Sequence, residues 1–301
     1  MMSQIEGVLS IDKPAGLTSH DVVARIRLIS GIRRVGHTGT LDPLATGLLI
    51  LCLGRATRLA EFLAGQNKEY LATIRLGQET NTFDAEGTIV AEKPVNVSKI
   101  QLLAALDQFR GKIKQIPPMY SAVKVDGQPL YRRARQGKVI DRPAREVTIF
   151  ELDLYCWQSP EIQVRLVCSS GTYVRVIAHD LGRSLGCGAY LMGLRRTAVG
   201  NHRVDTAIPL ADLQKSGWQD YLQPSDIAVS HLPGVVLAEE EAVSLYHGQR
   251  VPHHSESVES LVRAYDENGR FIGILTGDEQ YWSAKKILYQ PGKCSDKITR
   301  Q

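Results

Sequence analysis

The stretch Gly36-His37-Thr38-Gly39-Thr40-Leu41-Asp42-Pro43-Leu44-Ala45-Thr46-Gly47-Leu48-Leu49 sets one carboxylate inside an otherwise uncharged, glycine-punctuated loop. Asp42 is the only acidic residue between Asp21 and Glu61. Glycines at this density let the backbone take positive φ or approach a ligand closely, and Pro43 biases Asp42 towards an extended conformation. The carboxylate is thus presented from a stiff turn. Directly behind it, Leu48-Leu49-Ile50-Leu51-Cys52-Leu53 is a continuous apolar run that reads as a buried strand anchoring the loop to a core. The local pattern also fits an Asp that caps its own Asp-Pro turn.

The surrounding chain of 301 residues can bury a sizeable core and is long for one domain, so a large domain plus a smaller one is expected. No apolar run approaches the length of a membrane span, and Met1-Met2-Ser3-Gln4-Ile5-Glu6 lacks the basic and apolar regions of a signal peptide, which points to a cytoplasmic protein. Cys52, Cys156, Cys168, Cys187 and Cys294 are scattered without a C-x-x-C pair, so neither a zinc site nor a disulfide framework is expected. The net charge of +4 is too small to argue for nucleic acid by itself, but the positive charge is concentrated. Lys124, Arg132, Arg133, Arg135, Lys138, Arg142 and Arg145 stand against only Asp126 and Asp141, so this one segment carries more net charge than the whole chain.

Elsewhere the pattern alternates between strands and helices. Gly7 to Pro14 reads as a short strand, and Ser19 as the cap of a helix with Val22, Val23, Ile26 and Ile29 on one face. Arg55 to Ala64 suits a short helix, and Lys68 to Gly77 alternates as a half-buried strand with Tyr70 and Ala72 on a shared face. Ser98 caps a helix through Phe109 whose apolar residues are Ile100, Leu103, Ala104 and Leu106. Ile116 to Gly137 reads as a proline-stiffened strand leading into a basic helix, with Tyr120 and Tyr131 among the positive charges, a pattern that suits backbone neutralisation plus base or sugar contacts. Val147 to Trp157 and Ile162 to Ser169 form a hairpin pattern, followed by a strand-to-helix turn at Gly171. Arg175, flanked by Val174 and Val176, needs a partner if it is buried. His179 and Asp180 are adjacent on a helix and do not face each other, and they, like Asp84, Lys13 and Pro14, read as structural. From about Val235 the pattern becomes a compact β-rich module with a helix at Glu239 to His247 and strands at Val258 to Asp266, Arg270 to Thr276 and Trp282 to Tyr289.

His37, Gly39 to Pro43 and Thr46 to Leu49 closely resemble the catalytic motif of pseudouridine synthases of the TruB type. The same resemblance extends to Asp12 to Asp21, Lys68-Glu69-Tyr70, Ile116 to Gly137, Ser169 to Gly182 and Gly188 to Gly200, in the family's order and over nearly the whole chain. It implies an α+β (mixed α/β) fold: a catalytic domain over 1–230 on a twisted, mainly antiparallel sheet, an RNA-gripping insertion at about 116–145, and a small PUA-like β-barrel over 235–290. It also implies isomerisation of uridine to pseudouridine at position 55 in the T arm of transfer RNA. Asp42 would be the nucleophile or base, paired with Arg175, which would lower its pKa and keep it ionised. Tyr70 would stack on the base and exchange a proton at C5, His37 would fill the space the flipped base vacates, and Leu194 would close the pocket. Tyr173 would line it, and Lys124, Arg132 and Arg133 would hold the RNA. The implied enzyme is a monomer with no cofactor, metal, guide RNA or membrane partner. Two rival readings are a tRNA-binding or folding factor without catalysis and a guide-RNA-dependent synthase, a branch that lacks a basic insertion of this kind.

Overall fold

The computed structural model describes residues 5–120, 124–125, 128–129, 140–214, 217–253 and 260–288, with the backbone alone at 124, 125 and 129. In chain order the first part runs β1 (Gly7–Lys13), α1 (Ser19–Ser30), β2 (Val35–His37), β3 (Thr46–Leu53), a 3₁₀ turn (Gly54–Leu59) continuing into α2 (Ala60–Ala64), and β4 (Lys68–Leu76). A small hairpin of β5 (Gln78–Thr80) and β6 (Ile89–Glu92) precedes α3 (Lys99–Asp107) and β7 (Gly111–Gln115). A two-residue hairpin, β8 (Lys124–Val125) with β9 (Gln128–Pro129), leads to the long pair β10 (Arg145–Gln158) and β11 (Glu161–Cys168). Then come α4 (Val174–Ser184), β12 (Ala189–Val199), β13 (His202–Arg203) and β14 (Ile208–Pro209).

Among the described residues these build a sheet of ten strands with the central path β14-β1-β3-β12-β4-β11-β10-β7, with β2 on β3 and β13 on β12. Only the β1/β14 and β3/β12 pairings are parallel, so the sheet is mainly antiparallel as expected. The continuous apolar run of β3 has a simple cause. Leu49, Leu51 and Leu53 face one core, packed with α1 and α4, while Leu48, Ile50 and Cys52 face a second core on the opposite side. A strand covered on both faces has no place for polar alternation.

The second core is completed from the C-terminal module, which consists of β15 (Gly234–Leu237), α5 (Glu239–Tyr246), β16 (Val251–Pro252), β17 (Val262–Asp266), β18 (Phe271–Gly277) and β19 (Tyr281–Ile287). Its strands form a curled half-barrel in the order β15-β17-β18-β19-β16 around Ala242, Leu245, Ile272 and Trp282. Ile274 and Leu288 belong to the cluster under Leu48 and Ile50. Arg58 Nη1 donates to the Ile287 carbonyl at 2.5 Å, Lys286 pairs with Glu61 at 2.8 Å, and the Tyr265 hydroxyl donates to Asp226 at 2.8 Å. The strand that follows the Asp42 loop is therefore gripped between both parts of the chain.

Two local readings change. Helix α1 is capped by Thr18, not Ser19: the Thr18 hydroxyl accepts from the Asp21 amide and the Asp21 carboxylate accepts from the Thr18 amide, a reciprocal capping box. Ser19 is buried, its Oγ accepting from the Leu41 amide at 2.8 Å and donating to the Leu41 carbonyl at 3.1 Å. Helix α3 is capped by Ser98 as expected but buries Leu102, Ala105 and Leu106, leaving Ile100 81% exposed. It carries apolar residues all round, and the i, i+3, i+4 set beginning at Leu102 is the one that meets the sheet. No helix among the described residues is long and apolar enough to cross a membrane.

Candidate active site

The Asp42 loop is fixed on both flanks. Ser19 holds Leu41 through both of its backbone groups, the Pro43 carbonyl accepts from the Gly16 amide at 2.9 Å, and the Asp42 carbonyl accepts from the Ala45 amide at 3.0 Å to close the turn. Lys13, fully buried, donates to the carbonyls of Pro14 (2.9 Å), Leu17 (2.7 Å) and Pro43 (3.4 Å). Burial pushes its pKa down to about 8, against the pull of Asp42. The structural reading of Lys13 therefore agrees with its contacts.

Arg175, in the first turn of α4, lies at the centre of the charges. Its Nη2 is 3.3 Å from Asp42 Oδ2 and donates to the Tyr120 carbonyl at 2.6 Å, and its Nη1 donates to Asp84 Oδ2 at 2.9 Å. The side chains of Arg175 and Asp84 are 6% and 2% exposed, whereas that of Asp42 is 42% exposed. The closer, drier ion pair is thus with Asp84, a residue that reads as structural in the sequence. Asp84 Oδ1 accepts from the Thr82 hydroxyl at 2.6 Å and the Glu86 amide at 3.2 Å, while Phe83, at φ 68°, stacks on His179 with ring centroids 3.9 Å apart. A pairing between residues 91 positions apart leaves no local signal in sequence.

Sharing the guanidinium changes the electrostatics. The crowded loop pushes the Asp42 pKa above the ordinary carboxylate value; Arg175 lowers it, and the neighbouring Asp84 raises it again. The expected net depression by Arg175 is therefore reversed. A carboxylate poised upward is more basic, which suits proton abstraction and keeps nucleophilicity when ionised. The pKa of Glu86 is also raised, by partial desolvation of its carboxyl and by the charges of Asp84 and Asp42.

Tyr70 and Ala72 share the buried face of β4 as expected, opposite Arg196 and Leu194 of β12 respectively. Burial raises the Tyr70 pKa, and Arg196 opposes that rise. Leu194 is half-buried against the main core, and its carbonyl accepts from the Thr46 hydroxyl at 3.4 Å. His37 ends β2, its ring edge-on to His20 at 5.5 Å and its pKa lowered by burial and by His20 and Arg196. Tyr173 caps α4, its amide donating to the buried Gln115 side chain at 3.0 Å and its carbonyl accepting from that side chain at 3.3 Å. Lys124 lies on β8, described by its backbone alone, and Arg132 and Arg133 lie outside the described residues.

Three family models match in succession: "TruB family pseudouridylate synthase (N terminal domain)" over residues 27–174, "tRNA pseudouridylate synthase B C-terminal domain" over 175–244, and "Pseudouridine synthase II TruB, C-terminal" over 233–279. The chain is 42% identical over 293 residues to tRNA pseudouridine synthase B of Haemophilus influenzae, covering 95% of this chain and 94% of the relative. Identity to the protein of the same name from Pseudomonas aeruginosa is 43% over 277 residues, 90% of this chain and 91% of that one. Among solved structures, an H/ACA RNP bound to a substrate RNA containing 2'-deoxyuridine superposes with a TM-score of 0.72 at 24% identity, covering 94% of this chain and 85% of that one. A Cbf5-Nop10-Gar1 complex superposes with a TM-score of 0.72 at 26% identity, covering 93% and 84%. The chain belongs to the TruB family of tRNA pseudouridine synthases, isomerases that modify RNA.

Proposed function

We propose that this enzyme isomerises the T-arm uridine at position 55 of transfer RNA with Asp42 as the catalytic carboxylate, acting without a guide RNA. The observation that carries the reading is the half-open Asp42 carboxylate, presented from a fixed loop and held by Arg175, whose own charge is anchored on buried Asp84. The target uridine leaves the stack and enters the pocket beside Tyr70 and Leu194, while His37 occupies the vacated space. Ionised Asp42 attacks C1′ or removes the 2′-proton, and the C1′–N1 bond breaks with its electron pair going to the uracil. The freed base turns and C5 bonds to C1′ as the Asp42–C1′ ester breaks and returns its electron pair to the carboxylate, or, on the other route, as Asp42 gives the abstracted proton back to C2′; the C5 proton is passed on by way of the Tyr70 hydroxyl, and N1 ends protonated. Atoms and electrons balance without any redox change.

Lys124, Arg132 and Arg133, within the insertion, supply phosphate contacts, and the chain from 235 onward forms an accessory RNA-binding module. The basic segment and the high identity to proteins named tRNA pseudouridine synthase B favour this reading over guided modification, which the fold likeness alone would allow. Mapping pseudouridine in transfer RNA from cells with and without the protein tests it. Loss of the T-arm modification alone supports the assignment, and an unchanged T arm overturns it.

A further inference from the structure

Arg196, on β12, is 1% exposed, yet no carboxylate among the described residues lies within ion-pair distance of it. An uncompensated charge at that depth is costly unless oriented dipoles replace its water. Here they are backbone carbonyls of the catalytic loop and of the strand it feeds. Nε donates to the Leu48 carbonyl at 2.7 Å, Nη2 to Gly39 at 3.1 Å and Nη1 to Thr40 at 3.4 Å. The backbone of Arg196 meets β3 at Gly47, where an added Cβ would lie 2.3 Å from the Arg196 carbonyl oxygen, so the two strands touch too closely for a side chain. Across the other edge of β12, Arg196 stands directly opposite Tyr70 in the register, and its charge opposes the rise that burial gives the Tyr70 pKa.

One rigid, planar cation thus bonds the loop two and three residues before Asp42 from a position directly across the sheet from Tyr70. Lysine cannot do this, because its ammonium is a point with no fork. The neighbouring Lys68 shows the difference: also buried, it binds the Ala64 and Gln66 carbonyls at 2.5 and 2.6 Å and braces only its own turn.

The geometry points to Arg196 as a positioning residue: its guanidinium couples the Asp42 loop to Tyr70, fixing the separation at which carboxylate and phenol meet the bound uridine. This rests on the reading of Asp42 and Tyr70 given above. Misplacing reacting groups by about 1 Å is worth on the order of 10²-fold in rate. Arg196→Lys keeps the charge but loses the fork, and Arg196→Gln keeps a hydrogen-bonding amide but loses the charge. Both are compared with the parent for single-turnover pseudouridine formation at saturating transfer RNA, for transfer-RNA Kd, and for the same changes in a Tyr70→Phe background.

The expected result is a rate lower by about 10²-fold in both folded variants, a Kd unchanged, and a much smaller effect once Tyr70 is Phe, since coupled residues are not additive. A folded variant within threefold of the parent rate, a loss carried by Kd, or full additivity with Tyr70→Phe would overturn the proposal. So would failure of both variants to fold, which would assign Arg196 to folding alone. An Asp42→Asn control separates the two levels. If that variant is active the underlying reading fails, and if it is inactive while the Arg196 variants turn over normally only this inference fails.

Discussion

Removing the charge of Asp84 should unfold this protein more readily than removing that of Asp42, although both carboxylates hold the same arginine. The difference follows from burial. Asp84 and Arg175 are 2% and 6% exposed and 2.9 Å apart, and deleting one partner of such a pair costs about 3–5 kcal/mol because the other charge stays buried. Asp42 is 42% exposed and 3.3 Å away, so its share of the pairing is worth no more than about 1 kcal/mol after solvent screening. Titration has the same sign. The folded-state pKa of Asp42 lies above its unfolded value, so its contribution is complete below the unfolded pKa and is lost as pH rises through the folded one. At neutral pH Asp42→Asn therefore gives up little, and Arg175 keeps Asp84 as its counter-ion. Asp84→Asn should cost about 3 kcal/mol, the lower end of that range because Asp42 and the Tyr120 carbonyl remain for Arg175. At about 2 °C per kcal/mol for a chain of this size the melting temperature should fall by roughly 6 °C. Thermal and urea unfolding of the two variants at pH 7 measure it. Equal losses, or a larger loss for Asp42→Asn, would refute the assignment of Asp84 as the principal partner.

In the proposed role Asp42 acts ionised, and since its pKa is raised the single-turnover rate should decline on the acid side at a pH above that of an ordinary carboxylate. Asp84→Asn, which removes a like charge, should move that decline to lower pH, and a shift upward would contradict the electrostatics. Replacing Arg132, Arg133 and Lys138 by Ala should flatten the dependence of log affinity on log salt by roughly 0.7 to 0.9 for each phosphate no longer neutralised, and an unchanged slope would leave the segment a solvated face. Deleting the chain from 235 onward strips Ile274 and Leu288 from the core beneath Leu48 and Ile50, so the truncated protein should melt well below the parent and aggregate. A truncation with the parent's melting temperature would show that the module only rests on β3.

The elements that read well in the sequence are those whose cause is local. The all-apolar β3, the alternation of β4 and the caps near Thr18 and Ser98 follow from side-chain period and short-range hydrogen bonding, and the true cap of α1 lies only one residue before Ser19. What is not legible is what depends on distant chain segments meeting. Asp84 lies in a turn whose own pattern is explained by Thr82 and Glu86, so nothing near it announces Arg175. The upward shift of Asp42 comes first from the desolvation of its carboxyl in the folded loop and then from the charge of Asp84, which arrives from a distant turn, and no spacing rule encodes either. Arg196 sits in the strand pattern Leu194-Arg195-Arg196-Thr197, where Arg195 makes a half-exposed pair with Asp12 and Arg196 is buried, and only the sheet register tells them apart.

Pseudouridine formation by Asp42→Asn bears most directly on the central claim. Asn keeps the shape and an acceptor oxygen, Arg175 keeps its anchor on Asp84, and the loop keeps its backbone bonds to Ser19 and Gly16. The folded variant should bind transfer RNA with an affinity close to that of the parent and form no detectable pseudouridine in a single turnover. Isomerisation at a rate comparable to the parent would show that Asp42 is not the catalytic carboxylate.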